Sequence, residues 1–207
     1  MTIDAPPARR AALGWAAFGL AIVTLDFRVN GLDVLPDVIG WVMVAFALST
    51  LPRGPGGFRV PAGLAWLAAV LSLADVKLPV PGNQGADPST TASEAVASGP
   101  LGALGIAYVV ADFAATVALC LAMRKAATAA ADEATARTFG VLTAVLAGTG
   151  LLGVLGAALG RHADPPPAGL VLLVVLGGLA GEVWLIVALV RARNQDYLQQ
   201  PTVAAVS

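Results

Sequence analysis

The residue with the clearest chemical potential is Asp112, an ionisable side chain within an apolar stretch, 101–123. A carboxyl near the middle of a bilayer costs about 2.5–3.5 kcal/mol on insertion scales, so it is expected to face protein or water. Tyr108, Thr116 and Cys120 fall at four-residue spacing on the same helix face. This stripe predicts either a polar track lining a cavity or proton path, with Asp112 as its switchable group, or an interhelical hydrogen bond that fixes packing.

A second carboxyl, Glu182, lies in another apolar stretch, 168–190. Two carboxyls in one dry site repel each other when both are charged, so such a pair would hold a proton near neutral pH. That arrangement suits proton coupling, and it suits acid–base chemistry if both groups reach one substrate position. The sequence leaves open whether Glu182 faces Asp112 or finds a Tyr, Thr or Trp partner on a neighbouring helix.

Glycines accompany the last two apolar stretches. Gly156 and Gly160 in one, and Gly177 and Gly181 in the other, have the GxxxG spacing that lets two helices approach closely. We therefore expect these two helices to pack as a tight hairpin. Whether the same surface also joins two copies of the chain stays open.

A third set of polar residues, Arg28, Asp33 and Asp37, surrounds Pro36 ahead of the second apolar stretch. Proline suits the first turn of a helix, where its missing N–H costs nothing. Asp33 can cap the exposed amides, and Asp37 complements the positive end of the helix dipole. We interpret the three residues as a helix-capping cluster at the outer membrane surface, in preference to an ion or substrate site.

The string N-G-L-D-V-L-P-D-V-I-G, residues 30–40, is followed by the apolar residues W-V-M-V. It resembles the first hairpin of a group of uncharacterised bacterial multi-pass membrane proteins that share the pattern N-G-x-D-x-L-P-D-x-I-G. The resemblance covers residues 28–51. It implies a related fold and no activity, because no activity is established for that group.

The composition requires lipid as the main solvent of the chain. Hydrophobic residues make up 57% and charged residues 12%, with a mean hydropathy of +0.81, whereas a soluble domain has about 25% charged residues. Stretches of roughly 20 apolar residues span a bilayer as helices. We predict an all-α polytopic bundle of six transmembrane helices, with approximate spans 11–27, 34–51, 60–78, 101–123, 138–159 and 168–190.

The basic residues predict that both ends of the chain lie in the cytoplasm of a bacterium, with the protein in the plasma membrane. The inner segments then carry Arg9, Arg10, Arg53, Arg59, Arg124, Lys125, Arg137, Arg191 and Arg193, and the outer segments Arg28, Lys77 and Arg161. Residues 79–100 become a flexible extracytoplasmic loop. The segment 11–51 could equally be a re-entrant hairpin, although two full spans are preferred because lipid-exposed re-entrant structure is costly.

The remaining patterns exclude several functions. One cysteine, Cys120, excludes an intramolecular disulfide, one histidine, His162, argues against a histidine-based metal site, and no cofactor motif is present. The absence of a basic tract argues against nucleic acid. Membrane lipid, a second copy of the chain or another membrane protein are the expected partners. We expect a non-catalytic membrane subunit or scaffold; the alternatives are a small proton- or cation-coupled transporter using Asp112 and Glu182, and, more remotely, a lipid-modifying enzyme.

Overall fold

The computed structural model of the protein describes residues 7–25, 28–29, 32–33, 37–51, 57–73, 100–159 and 168–195. Within these residues the fold is all-α and contains six helices. They are α1 (Pro7–Leu25), α2 (Asp37–Ser49), α3 (Arg59–Ser72), α4 (Pro100–Ala129), α5 (Glu133–Leu159) and α6 (Ala168–Ala192). Two short strands, β1 (Arg28–Val29) and β2 (Leu32–Asp33), pair antiparallel and join α1 to α2, with Arg28 opposite Asp33 in register.

The six helices form a closed ring in sequence order. Each helix packs against the next one along the chain, and α6 packs against α1. Large apolar side chains cover the outer surface of the ring and stay exposed, among them Phe18, Phe46, Trp66, Leu151 and Leu172. A soluble protein rarely leaves so much apolar surface uncovered, whereas lipid accepts it.

Three of the helices, α4, α5 and α6, are long and apolar enough to cross a membrane. The apolar parts of α1, α2 and α3 are shorter. With 13 residues, α2 is about 20 Å long, which is less than the roughly 30 Å of a bilayer's hydrocarbon core. The six predicted spans thus correspond to three helices long enough to cross a bilayer, all in the second half of the chain, and three shorter helices in the first half.

Several predicted boundaries can be compared with the structure. The second apolar stretch was predicted from residue 34, and α2 begins at Asp37. Both helices extend into the gap between the predicted spans 101–123 and 138–159, since α4 continues to Ala129 and α5 starts at Glu133. The predicted loop 79–100 falls outside the described residues up to Pro100, where α4 begins. The end of the third stretch, 74–78, also falls outside them.

The apolar core of the ring lies toward one of its two ends. At this end α2, α4 and α6 finish and α3 and α5 begin, and we call it the basic end because it carries Arg59, Arg124, Arg137 and Arg191. The largest fully buried side chains in this half are Leu13, Leu48, Leu119, Met123, Phe139, Leu142, Leu146, Leu185 and Leu189. Close packing of this kind leaves little room for water.

The hairpin of α1 and α2 depends on two glycines, Gly19 and Gly40. A Cβ atom at Gly40 would lie 2.6 Å from the Gly19 carbonyl oxygen and 2.6 Å from Cγ2 of Val23. A Cβ atom at Gly19 would in turn lie 2.6 Å from the Gly40 carbonyl oxygen. The two backbones can approach this closely because neither residue has a side chain.

The predicted hairpin of the last two helices is confirmed, because α5 packs against α6. A Cβ atom at Gly177 would meet the Thr149 side chain at 2.8 Å, and one at Gly181 would meet Leu146 at 2.8 Å. Small residues on α6 therefore accept larger side chains of α5. Gly160 lies outside the described residues.

A tight turn joins α4 to α5. Ala131 has a positive φ of 57°, and the Asp132 N–H donates to the Ala127 carbonyl at 2.9 Å. This is the left-handed helix ending in which glycine is usual. Asp132 then begins the next helix, because its Oδ1 accepts a hydrogen bond from the Thr135 N–H at 3.1 Å.

We expect Gly40→Ala to destabilise the protein by about 1–3 kcal/mol, because the new methyl group meets backbone across the α1–α2 contact. Gly14→Ala is the control on the same hairpin, since a Cβ there meets nothing within 4 Å. Alanine's helix propensity should make this control neutral or stabilising. Thermal unfolding in detergent measures both. Equal stability of the two variants would contradict the close contact.

We expect Ala131→Gly to stabilise the protein by about 0.5–1 kcal/mol, because glycine removes the steric cost of the left-handed conformation. The control is Ala129→Gly, two residues earlier and still helical, which should destabilise by up to about 1 kcal/mol. The same unfolding measurement applies. Destabilisation of similar size at both positions would mean that the turn differs from the one described.

Candidate functional site

The candidate site is a polar group of side chains inside the ring, and its first part joins α2 to α4. The Tyr108 hydroxyl donates a hydrogen bond to Oδ2 of Asp37 at 2.7 Å. The Trp41 indole N–H donates to the Tyr108 oxygen at 3.3 Å, and the Trp41 side chain is 1% exposed. The three side chains thus form a directed chain of donors that ends on the Asp37 carboxyl.

Helix periodicity explains how these residues meet. Asp37 and Trp41 are one turn apart on α2, and Tyr108 and Asp112 are one turn apart on α4, so each helix directs a pair of polar residues to one side. The helices α2 and α4 are separated in the ring by α3. The hydrogen bond between Tyr108 and Asp37 therefore crosses the interior of the ring.

The short length of α2 determines the level at which Asp37 lies. Tyr108 is eight residues from the start of α4, which corresponds to about 12 Å along the helix axis. The hydrogen bond brings the first residue of α2 to that same level. Asp37 occupies the first turn of its helix, as predicted, and its carboxyl is directed into the bundle.

The second part of the site contains the carboxyls of Asp112 and Glu182. The Asp112 carboxyl lies within electrostatic range of Glu182 and of Asp37, and Glu182 within range of Asp37. The Thr24 hydroxyl of α1 is within hydrogen-bonding reach of the Glu182 carboxyl. Three alternate helices of the ring, α2, α4 and α6, thus contribute one carboxyl each to a common interior.

The hydrogen bonds indicate where protons lie in this arrangement. Tyr108 directs its only hydroxyl hydrogen at Asp37, and a 2.7 Å distance suits an ionised acceptor. The Thr24 hydroxyl has two acceptors within reach, the Leu20 carbonyl at 2.8 Å and the Glu182 carboxyl.

Basic side chains are remote from this interior in the part of the chain whose side chains are described. The six of them that belong to α3, α4, α5, α6 and the residue after α6 are all exposed: Arg59, Arg124, Lys125, Arg137, Arg191 and Arg193. None of them neutralises Asp112 or Glu182. Two carboxyls at such a site need protons or a bound cation, because charge is costly in a low-dielectric interior.

The described residues contain no group of three or more His, Cys, Asp or Glu side chains arranged to hold a metal ion. Asp37, Asp112 and Glu182 interact through their charges without converging on one point as metal ligands do. Among the possible neutralising species, the proton fits this spacing better than a divalent metal, which requires several oxygen ligands at about 2.0–2.6 Å.

The other predicted site residues occupy different surroundings. Thr116 is buried on the same face as Asp112, but its hydroxyl donates to carbonyls of its own helix, those of Asp112 at 3.1 Å and Phe113 at 3.0 Å. Cys120 is buried among apolar side chains of the core. The side chains of Arg28 and Asp33 lie outside what the structure describes.

Sequence reasoning missed the roles of Trp41 and Thr24 and treated Asp37 as a surface cap. A signal for the first was present, because Asp37 and Trp41 form a four-residue pair on a helix that is otherwise apolar up to Ser49. The sequence analysis used the same spacing for Tyr108 and Asp112. The sequence does not determine that α2 and α4 face each other across the ring, so it could not bring Asp37 and Trp41 to Tyr108.

We expect a double-mutant cycle of Tyr108→Phe and Asp37→Ala to give a coupling free energy of about 1.5–3 kcal/mol, the usual contribution of a hydrogen bond to a charged group. Unfolding of the wild type, both single variants and the double variant in detergent measures it. Pairing Tyr108→Phe with Thr138→Ala is the control, because the Thr138 hydroxyl bonds within α5. That pair should be additive within about 0.5 kcal/mol. Additivity in the first cycle would contradict the Tyr108–Asp37 contact.

Comparisons of the chain with protein-family models, with curated proteins and with solved structures found no match. The resemblance of residues 28–51 to a group of bacterial multi-pass membrane proteins stays a prediction.

Proposed function

We propose that this protein is a small proton-coupled transporter of the bacterial plasma membrane, with Asp112 and Glu182 as the groups that take up and release the proton. The observation that carries the proposal is that α2, α4 and α6 each place one carboxyl in the same interior. A packing role would require only one polar contact per helix pair. Three carboxyls that interact with one another repel when charged, and this opposes packing. Arrangements with that cost persist in membranes mainly where protons or ions move.

The distribution of side chains inside the ring supports a pathway with one closed side. Between the carboxyls and the basic end lies the close-packed apolar half that includes Leu119, Leu142 and Leu185. A layer of this kind blocks water and ions. A transporter in one of its resting states needs such a barrier on one side of its proton-binding groups, and in this state the barrier faces the basic end.

The proposal includes six membrane crossings with both ends of the chain in the cytoplasm. The basic end carries Arg59, Arg124, Arg137 and Arg191, and arginine is enriched on the cytoplasmic side of membrane proteins. The antiparallel β1–β2 connection would then lie toward the opposite side. Packing within the ring and local thinning of the bilayer would accommodate the shorter helices α1, α2 and α3.

A non-catalytic subunit or scaffold is the second candidate, and one observation favours it. The hydrogen bond between Tyr108 and Asp37 joins two helices that are not neighbours in the ring, and interhelical hydrogen bonds of this kind specify packing. In that case the carboxyls stabilise the fold and transport nothing. The lipid-modifying enzyme is less well supported, because the exposed arginines of the basic end are separated from Asp112 and Glu182 by the apolar core.

We expect an Asp112→Asn/Glu182→Gln variant to lose proton exchange while its abundance in the membrane is unchanged. The amides keep the size of the side chains and remove the groups that carry the proton. Everted membrane vesicles loaded with a pH-sensitive dye and energised by respiration measure the exchange. Additions of sodium, potassium, and panels of amino acids, sugars and organic cations identify the solute that moves with the proton.

Glu133→Gln is the matched control, because Glu133 is an exposed carboxyl in the first turn of α5, away from the ring interior. It should behave as the wild type does. Equal rates of proton exchange in the wild type and the double variant would contradict the transporter proposal and leave the carboxyls with a packing role. In that event, co-purification with a partner or a stable homo-oligomer in mild detergent would support the scaffold.

A further inference from the structure

A groove on the outer surface of the ring lies between α4 and α5 at the basic end, away from the interior carboxyls. Its volume is about 730 Å³, and its lining includes Arg124, Thr128, Glu133, Arg137, Val141 and Val145. Arg124, Thr128 and Arg137 are exposed. The transporter proposal assigns no role to this groove.

The polar end of the groove carries two guanidinium groups on opposite walls. Arg124 lies across Gly140 of α5, with its Nε 3.7 Å from where a Cβ of that glycine would be. Arg137 is on α5, one turn before Val141. Among the described residues neither guanidinium has a hydrogen bond or ion pair. Glu133 is the one carboxylate of the lining, so the charge of the groove is formally +1.

The other end of the groove is apolar. Arg137, Val141, Ala144 and Val145 fall on one face of α5, and the same helix continues in that direction with Leu152, which is also exposed. The groove thus changes from cationic to apolar along a helix that is long enough to cross a membrane. A phospholipid has this same order of chemistry, with an anionic phosphate followed by an acyl chain.

We propose that this groove binds an anionic phospholipid of the leaflet at the basic end, with Arg124 and Arg137 on the phosphate and an acyl chain along Val141 and Val145. Guanidinium groups match phosphate oxygens in geometry as well as charge. Basic pockets between transmembrane helices at the cytoplasmic side are suited to acidic head groups. The site is independent of the interior carboxyls, so it can be tested without any transport measurement.

The experiment is native mass spectrometry of the full chain in mild detergent, titrated with phosphatidylglycerol and, separately, with phosphatidylcholine. We expect the wild type to prefer phosphatidylglycerol. Arg124→Gln/Arg137→Gln should weaken phosphatidylglycerol binding about tenfold or more, because each arginine near an acidic lipid contributes to affinity. Binding of phosphatidylcholine should be unchanged, and this shows that the variant is folded.

The matched control is Arg59→Gln/Lys125→Gln, which removes the same charge from two exposed residues that do not line this groove. It should keep the preference for phosphatidylglycerol. Equal losses in the two double variants would overturn the proposal, because attraction would then reflect overall charge. Inorganic phosphate that displaces the lipid at equal concentration would also overturn it, since the acyl chain would contribute nothing.

Discussion

The polar interior of this protein depends on the hydrogen bond from Tyr108 to Asp37. It joins α2 and α4 across the ring at 2.7 Å, and it gives one carboxyl a donor in a place where water is scarce. An unpaired buried carboxylate costs far more than a paired one. Asp112 and Glu182 lie within electrostatic range of the Asp37 carboxyl, and Asp112 within range of Glu182, so the three carboxyls share one interior.

The position of Asp37 depends in turn on backbone contact between α1 and α2. Gly19 and Gly40 face each other so closely that a Cβ on either would lie 2.6 Å from the carbonyl oxygen of the other. The short helix α2 is thereby fixed against the longer α1, and its first residue reaches the level of Tyr108. Hydroxyls in the neighbouring helices bond to carbonyls of their own helix, as Thr116 does to Asp112 and Phe113.

The ring separates two kinds of chemistry. Inside, the carboxyls lie on one side of a close-packed apolar half. Outside, the exposed arginines of the basic end adjoin apolar helix faces, as in the groove between α4 and α5. This separation follows from solvation: arginine side chains reach the aqueous interface and the phosphate layer, whereas carboxyls in the interior must be neutralised by protons or cations. The proposed lipid site and the proposed proton site are thus physically distinct.

The sequence by itself determined that this is an all-α chain containing helices long and apolar enough to cross a membrane, because composition and the length of apolar stretches depend on local properties alone. It also identified Tyr108, Asp112 and Glu182, since ionisable residues within apolar stretches stand out. Only the tertiary structure decided that Asp37 and Trp41 face Tyr108, that Thr24 reaches Glu182, and that three carboxyls share one interior. Contacts between helices that are not sequence neighbours depend on the closure of the ring and on the depth of a short helix, and neither is encoded in a local pattern.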